Sequence, residues 1–140
     1  MMGTILISFA LAAAAGAAAM STANAAGDRK PGPYAREQMQ IEKELSRLKP
    51  QAAVDCIDTR FRNVSLRAVG NKLVYRESRN RIFVSETAGG CENVARGDAL
   101  VTRQFGPRLC RGDIATTVDR AARFETGSCA IGPFTPYTAG

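Results

Sequence analysis

Four cysteines constrain the fold of this chain more than any other feature of its sequence. The chain has no Cys-x-x-Cys pair and no histidine in its 140 residues, so a zinc site and a thioredoxin-like redox motif are disfavoured. An even number of well-separated cysteines is typical of a disulfide framework in an exported protein. Four cysteines permit three pairings, and among these we expect the nested one, in which Cys91 bonds Cys110 and Cys56 bonds Cys129.

The first 25 residues have the pattern of a cleavable signal peptide. Residues 5–20 are apolar apart from Ser8, and Ala23-Asn24-Ala25 has the small-x-small form of a signal-peptidase site. A membrane-spanning helix is the alternative, but this apolar run has about 16 residues where a bilayer needs about 20. We therefore expect cleavage before Ala26, no transmembrane segment after processing, and a periplasmic or secreted protein.

Removal of that segment leaves a small basic chain. Lys and Arg number 19 against 13 Asp and Glu, and every charge follows position 27, so the processed chain keeps the net charge of +6. Its length allows one small domain. Because the chain has no histidine, it lacks the commonest general base and the commonest metal ligand. We expect no cofactor and no bound metal.

The rest of the chain divides into two segments. Residues 26–52 form a leader and a short amphipathic helix, which we place at residues 34–49 and which Pro50 ends. The residues of the helix that recur at spacings of three and four share one face: Tyr34, Gln38, Ile41, Leu45 and Leu48.

Residues 53–137 have the pattern of a disulfide-stabilised β domain. Short runs of β-favouring residues alternate with Gly-containing turns, which predicts antiparallel pairing. The expected fold is therefore mainly β: a small antiparallel sandwich or barrel with one N-terminal helix and two disulfides. The predicted strands lie at residues 64–68, 72–76, 81–85, 99–105, 114–118 and 128–131.

Two Arg-Gly-Asp tripeptides lie at residues 96–98 and 111–113. The tripeptide is an integrin ligand when it is exposed on a loop, but it consists of three common surface residues. Gly supplies a positive φ and Asp binds its local backbone, so Gly-Asp before a strand is ordinary turn chemistry. We predict a structural role for both tripeptides.

The basic excess is mostly arginine, with 15 Arg to 4 Lys. The planar guanidinium suits phosphate and carboxylate partners, so an anionic envelope component, nucleic acid or an acidic protein surface is the expected partner. A solvated basic face without a partner is the alternative. The arginines on or beside predicted strands, which alternation would align in part, are Arg60, Arg62, Arg67, Arg76, Arg79, Arg81 and Arg103.

Carboxylate pairs offer the only route to catalysis that the sequence suggests. The nearest acidic neighbours are Asp55 with Asp58 and Asp113 with Asp119, and neither spacing is diagnostic of a hydrolase. No P-loop, G-x-G-x-x-G or G-x-S-x-G motif is present. We therefore predict no catalytic residues.

Five segments together resemble a family of small exported, cysteine-containing proteobacterial proteins classed as a domain of unknown function. The resemblance covers residues 53–137 and implies an envelope or secreted location and a compact β domain with cysteines, but no activity. Its segments are Asp55-Cys56-Ile57, the hairpin at residues 72–84, Gly90-Cys91, the Leu-Cys-Arg-Gly-Asp-Ile run at 109–114, and the Ser-Cys-Ala-Ile-Gly-Pro-Phe run at 128–134.

The sequence thus favours an exported, non-enzymatic binding module whose basic face contacts an anionic partner. One alternative is a structural or protein-interaction module that acts through its helix or a sheet edge, with another envelope protein as its partner. The other is a histidine-free hydrolase that uses carboxylates. We expect a monomer.

Overall fold

The computed structural model describes residues 32–60 and 64–140 of the chain. These residues contain one α-helix, one 3-10 helix and ten short strands. The α-helix, α1, spans Pro33–Ser46, and the 3-10 helix spans Glu92–Arg96. The predicted signal peptide at residues 1–25 lies outside the described residues. The strands are β1 Lys49–Pro50, β2 Cys56–Asp58, β3 Ser65–Val69, β4 Lys72–Ser78, β5 Arg81–Glu86, β6 Ala99–Arg103, β7 Arg108–Cys110, β8 Ile114–Val118, β9 Glu125–Ala130 and β10 Phe134–Thr138.

The strands form three antiparallel sheets. The largest has the order β1-β10-β5-β4-β3, and the smaller sheets are β2-β7 and β6-β8-β9. The prediction of a mainly β, antiparallel fold with one N-terminal helix and two disulfides is confirmed.

The main core lies between one face of the five-stranded sheet and the two smaller sheets. Alternate residues of β4 and β10 point into it, as strand periodicity requires. Leu73 and Phe134 are almost fully buried there, beside Leu109 of β7 and Ile131 after β9. The rings of Tyr75 and Phe134 meet edge to face with centroids 5.7 Å apart. Side chains from all three sheets therefore share one core.

Helix α1 covers the other face of the five-stranded sheet. Ile41 is 2% exposed and packs with Leu48 against Val74, Ile82 and Val84. The predicted apolar face is confirmed at its centre, where Leu45 also packs against this cluster. Its first residue, Tyr34, remains 44% exposed. The helix ends before the predicted residue 49, because Lys49 and Pro50 pair with β10 as strand β1.

The predicted disulfide pairing is wrong. Cys56 bonds Cys110 and Cys91 bonds Cys129, so the two loops interleave instead of nesting. The physical reason is that β7 pairs with β2 and not with a strand of the three-stranded sheet. This pairing places Cys110 directly opposite Cys56. Cys91 is then left beside Cys129 of β9 in the main core.

The predicted strand at residues 114–118 is present as β8, and it turns its smaller residues to the core. Ala115 and Thr117 are buried, whereas Ile114 is 46% exposed. The hydroxyl groups of Thr117 and Thr126 lie 2.8 Å apart, so the buried polar atom of Thr117 has a hydrogen-bond partner. Because its hydroxyl has this partner, Thr117 can occupy a buried position, and Ile114 lies on the exposed face of β8.

Candidate anion-binding site

A cleft of about 530 Å³ lies where the C-terminal end of α1 crosses the turn between β4 and β5. Arg47 comes from the end of α1, Arg76 from β4 and Arg79 from the turn. Leu48, buried against the sheet, forms part of the lining, and Glu44 is the acidic residue that faces the cleft. We call this cleft, defined by Arg47, Arg76, Arg79 and Glu44, the arginine cleft.

Local backbone geometry places each of the three arginines. Arg47 is the C-cap of α1, and its N–H donates to the Glu44 carbonyl at 3.2 Å. Arg76 lies at the irregularity where the register between β4 and β5 shifts, between Arg76 and Ser78. Arg79 lies in the turn that this shift leads into, where the Asn80 N–H donates to the Ser78 hydroxyl at 3.3 Å. A helix end and a bulged hairpin thus bring the three guanidinium groups to one cleft.

The cleft carries an excess of positive charge. Glu44 forms an ion pair with Nη2 of Arg76, and three arginines against one glutamate leave a formal excess of two charges. Nε of Arg76 is buried and has no hydrogen-bond partner among the described residues. A guanidinium offers several donors in a planar fork and the carboxylate uses one side of it. The cleft therefore has donor capacity that its own residues do not satisfy.

Of the six predicted arginines that the structure describes, two line this cleft, Arg76 and Arg79. Arg67 lies on the same sheet face but pairs with Glu37, nearer the start of α1, at 3.6 Å. The sequence analysis did not select Arg47, although a basic residue at a helix C-terminus is a known preference and was a usable signal.

The remaining predicted arginines lie on other surfaces. Arg81 points to the opposite side of the five-stranded sheet, 5.3 Å from the Phe83 ring centre, and its Nε lies 3.3 Å from Glu77. Arg60 follows β2, where its N–H donates to Asp58. Arg103 ends β6 and is exposed. Arg62 lies outside the described residues.

The candidate carboxylate pairs do not converge. Asp113 and Asp119 stand at opposite ends of β8, a separation of about 20 Å at about 3.3 Å per residue. Asp113 accepts the Cys110 N–H at 2.8 Å, and Asp119 accepts two backbone N–H groups of the loop that follows. Glycosidase carboxylates stand within about 10 Å of each other, so this pair does not form such a site.

Asp55 and Asp58 also have separate partners. Asp55 lies in the bend before β2, and Asp58 ends that strand, where it accepts the Arg60 N–H. Asp55 lies 3.5 Å from Arg111, and both side chains are largely exposed. The acidic residues thus act as turn and ion-pair partners.

Both Arg-Gly-Asp tripeptides are turns. Gly97 and Gly112 have φ values of 109° and 89°, a region that favours glycine. Asp98 accepts a hydrogen bond from the Thr126 hydroxyl, and Asp113 is buried. The predicted positive φ of the glycine is present at both positions, and Asp113 accepts from nearby backbone as predicted, whereas Asp98 binds the side chain of the distant Thr126.

Within residues 32–60 and 64–140, no three His, Cys, Asp or Glu side chains form a group that could hold a metal ion. No helix in the same ranges is long and apolar enough to cross a membrane.

The comparisons with known proteins add no relative: no family model matches the chain, and neither a curated protein nor a solved structure matches it. The function is therefore argued from the geometry of the site.

Proposed function

We propose that this chain is an exported, non-enzymatic binding module that holds an anionic group of its partner in the arginine cleft. The observation that carries the proposal is the convergence of Arg47, Arg76 and Arg79 on one cleft that contains a single carboxylate. Phosphate and carboxylate groups match the planar donors of arginine, and such charge-assisted hydrogen bonds are about twice as strong as neutral ones. A phosphate-bearing or carboxylate-bearing envelope component is the expected partner.

Export is the second part of the proposal. Two disulfides support it, because such bonds persist in oxidising compartments such as the periplasm and the extracellular space. The resemblance to small exported proteobacterial proteins agrees with this location. An intact mass of the protein from the envelope fraction, with and without reduction, tests it. A chain that starts at Ala26 with no free thiol is expected, and an uncleaved chain with four free thiols would contradict export.

Inorganic pyrophosphate is a suitable first probe for the cleft, since its two phosphate groups fit several guanidinium forks. Calorimetric titration of the disulfide-bonded protein should show binding that weakens as salt rises from 20 to ~200 mM. Added salt shortens the Debye length, which is about 10 Å at 0.1 M, and so weakens the attraction between exposed charges. The double variant R47Q/R79Q should lose about tenfold or more in affinity, since a hydrogen bond to a charged group contributes about 1.5–3 kcal/mol.

The matched control is R103Q/R108Q, which removes two exposed arginines elsewhere and changes the net charge equally. It should keep nearly all of the affinity for pyrophosphate. Equal losses in the two double variants would show that net charge alone attracts the probe, and the cleft would then not be the site.

The alternative function is a protein-interaction module that acts through its helix, and in this fold most of the apolar surface of the helix is not available for a partner. The apolar residues Ile41, Leu45 and Leu48 pack on the sheet within the chain, so they do not face a partner. The edge of β6 favours the sheet-edge form of this alternative, because among the described strands β6 pairs with β8 on one side only.

A further inference from the structure

The connection between β6 and β7 carries the most exposed large apolar residue of the described chain. Phe105 is 100% exposed, whereas a side chain of this size normally buries most of its surface. Residues 104–107 project it beyond the end of β6, where Gly106 and Pro107 stop the strand. β6 and β7 belong to different sheets, so this ring stands in water on the connection between them, and a fully exposed aromatic ring that continues into further apolar surface indicates an interaction site.

Two further exposed apolar side chains lie on the outer face of the sheet that β6 belongs to. Val101 is 50% exposed and precedes Arg103 by two positions, so both point to the outer face of the three-stranded sheet. Ile114, which is 46% exposed, is the register partner of Arg103 on β8. The apolar surface therefore continues from the tip onto the sheet, with Arg103 between its members.

The charge of this surface is mainly positive. Residues 99–112 contain three arginines and no Asp or Glu. Arg103 and Arg108 are exposed, while Arg111 pairs with Asp55. The carboxylate nearest in register is that of Asp58, opposite Arg108 on β2. We call the set of Val101, Arg103, Phe105, Arg108 and Ile114 the Phe105 tip.

The combination of exposed apolar side chains and arginines distinguishes between two binding partners for the Phe105 tip, a second copy of the chain and an anionic bilayer. A second copy of the chain, related by a two-fold axis, would bring the tip against itself and would place the arginines of one copy close to those of the other. Like charges at close range oppose that arrangement. An anionic bilayer offers an apolar layer for the ring and phosphates for the arginines at one boundary.

We propose that the Phe105 tip docks on an anionic lipid bilayer, with the Phe105 ring at the boundary between headgroups and acyl chains and with Arg103 and Arg108 at the level of the phosphates. The contact is peripheral and reversible, since one aromatic side chain and two charges are few compared with a membrane-spanning segment. This site is separate from the arginine cleft, which lies at the end of α1.

Vesicle sedimentation with the disulfide-bonded protein tests the proposal. Vesicles of phosphatidylcholine with about 30% phosphatidylglycerol should bind the protein, and pure phosphatidylcholine should bind it much less, because each Lys or Arg near an anionic surface adds attraction. F105S should lower the partition coefficient about tenfold or more, the loss expected when a phenylalanine side chain is no longer buried. R103Q/R108Q should lower it about tenfold as well.

F124S is the matched control for the ring. Phe124 is 58% exposed, stands next to Arg123 and precedes β9 at the other end of the same sheet, so it experiences the same chemical change away from the tip. R47Q/R79Q is the control for charge. Both controls should keep nearly full vesicle binding, whereas R47Q/R79Q alone should lose pyrophosphate binding.

Three results would overturn the proposal. They are equal binding to neutral and anionic vesicles, equal losses in F105S and F124S, and a dimer in sedimentation equilibrium that F105S converts to a monomer. The last result would assign the tip to contacts between copies of the chain. None of them would alter the titration of the arginine cleft, so the two proposals fail separately.

Discussion

Tyr75 places a hydroxyl group inside the main core, where no other residue of the described ranges is its hydrogen-bond partner. Burial raises the pKa of this tyrosine above its ordinary value, since a phenolate would be poorly solvated there. The unfolded chain releases the proton near pH 10, but the folded chain retains it. The stability from this group is therefore complete below about pH 10 and is lost as the pH rises from there towards the folded-state pKa.

The free energy of unfolding should accordingly fall above pH 10, by about 1.4 kcal/mol per pH unit. Tyr75→Phe keeps the ring in the core and removes the titrating group, so its decline should be flatter by that amount. Urea unfolding between pH 8 and 11 measures both slopes. Tyr34→Phe, at an exposed position, is the control and should retain the decline. Parallel slopes for Tyr75→Phe and the unchanged protein would contradict the assignment.

At the scale of elements, α1 determines how much of the sheet's charge is compensated. Glu37 and Glu44 are two helical turns apart, about 10 Å, and pair with Arg67 and Arg76 on neighbouring strands. The helix therefore covers an apolar cluster and supplies a carboxylate to each of two arginines. The second of these pairs lies in the arginine cleft, so α1 also limits the positive charge of that cleft.

Glu44→Gln should strengthen pyrophosphate binding by the arginine cleft. The change removes the negative charge nearest to Arg76 and frees its second side for the ligand, which corresponds to about a threefold gain for a partly exposed charge. Glu37→Gln makes the same change at the Arg67 pair, outside the cleft, and should leave the affinity nearly unchanged. Titration calorimetry at low salt compares them. A loss of affinity in Glu44→Gln would mean that Glu44 positions Arg76 for the ligand.

Several elements could be predicted from the sequence because their signals are local. The hairpin of β4 and β5 follows from alternation and a polar turn, and α1 follows from spacings of three and four. Short strands such as β7 carry no such signal, since three residues show no period and their pairing with β2 depends on distant chain. The disulfide pairing depended on that non-local contact and was therefore predicted wrongly.

The arginine cleft was half predictable for the same reason. Arg76 and Arg79 lie on a local hairpin, and strand alternation selects them as candidates. Arg47 joins them only because α1 crosses the sheet at that turn, which is a tertiary contact. Alternation also placed Arg81 in the predicted set. Arg81 and Phe83 are two positions apart on β5, however, so both side chains point to the other side of the sheet, with the Arg81 guanidinium over the Phe83 ring.

At the scale of the whole molecule, each of the two disulfides lies at one of the smaller sheets, and the five-stranded sheet has no crosslink among the described residues. Cys56–Cys110 joins β2 to β7, and Cys91–Cys129 joins the start of the 3-10 helix to β9. The five-stranded sheet is instead held by its own ladder and by the two apolar clusters on its faces. Each bridge closes a long loop and is expected to contribute about 4 kcal/mol.

The two disulfides should contribute differently to the free energy of unfolding, and the difference separates the effect of loop entropy from that of packing. Cys56 and Cys110 are 54 residues apart and Cys91 and Cys129 are 38 apart, so entropy alone favours the first bridge by about 0.3 kcal/mol. Cys91 and Cys129 are buried in the main core, however, whereas Cys56 and Cys110 are half-buried.

C91A/C129A should therefore lose more stability than C56A/C110A, because it also leaves a cavity where two buried sulfur atoms were, at a cost of about 1 kcal/mol or more. Urea unfolding of the two double variants at neutral pH gives the comparison, with peptide mapping to confirm the remaining bridge in each. If C56A/C110A proved the less stable, loop entropy would outweigh packing in this core. The short sheet of β2 and β7 would then depend on its disulfide more than the three-stranded sheet does.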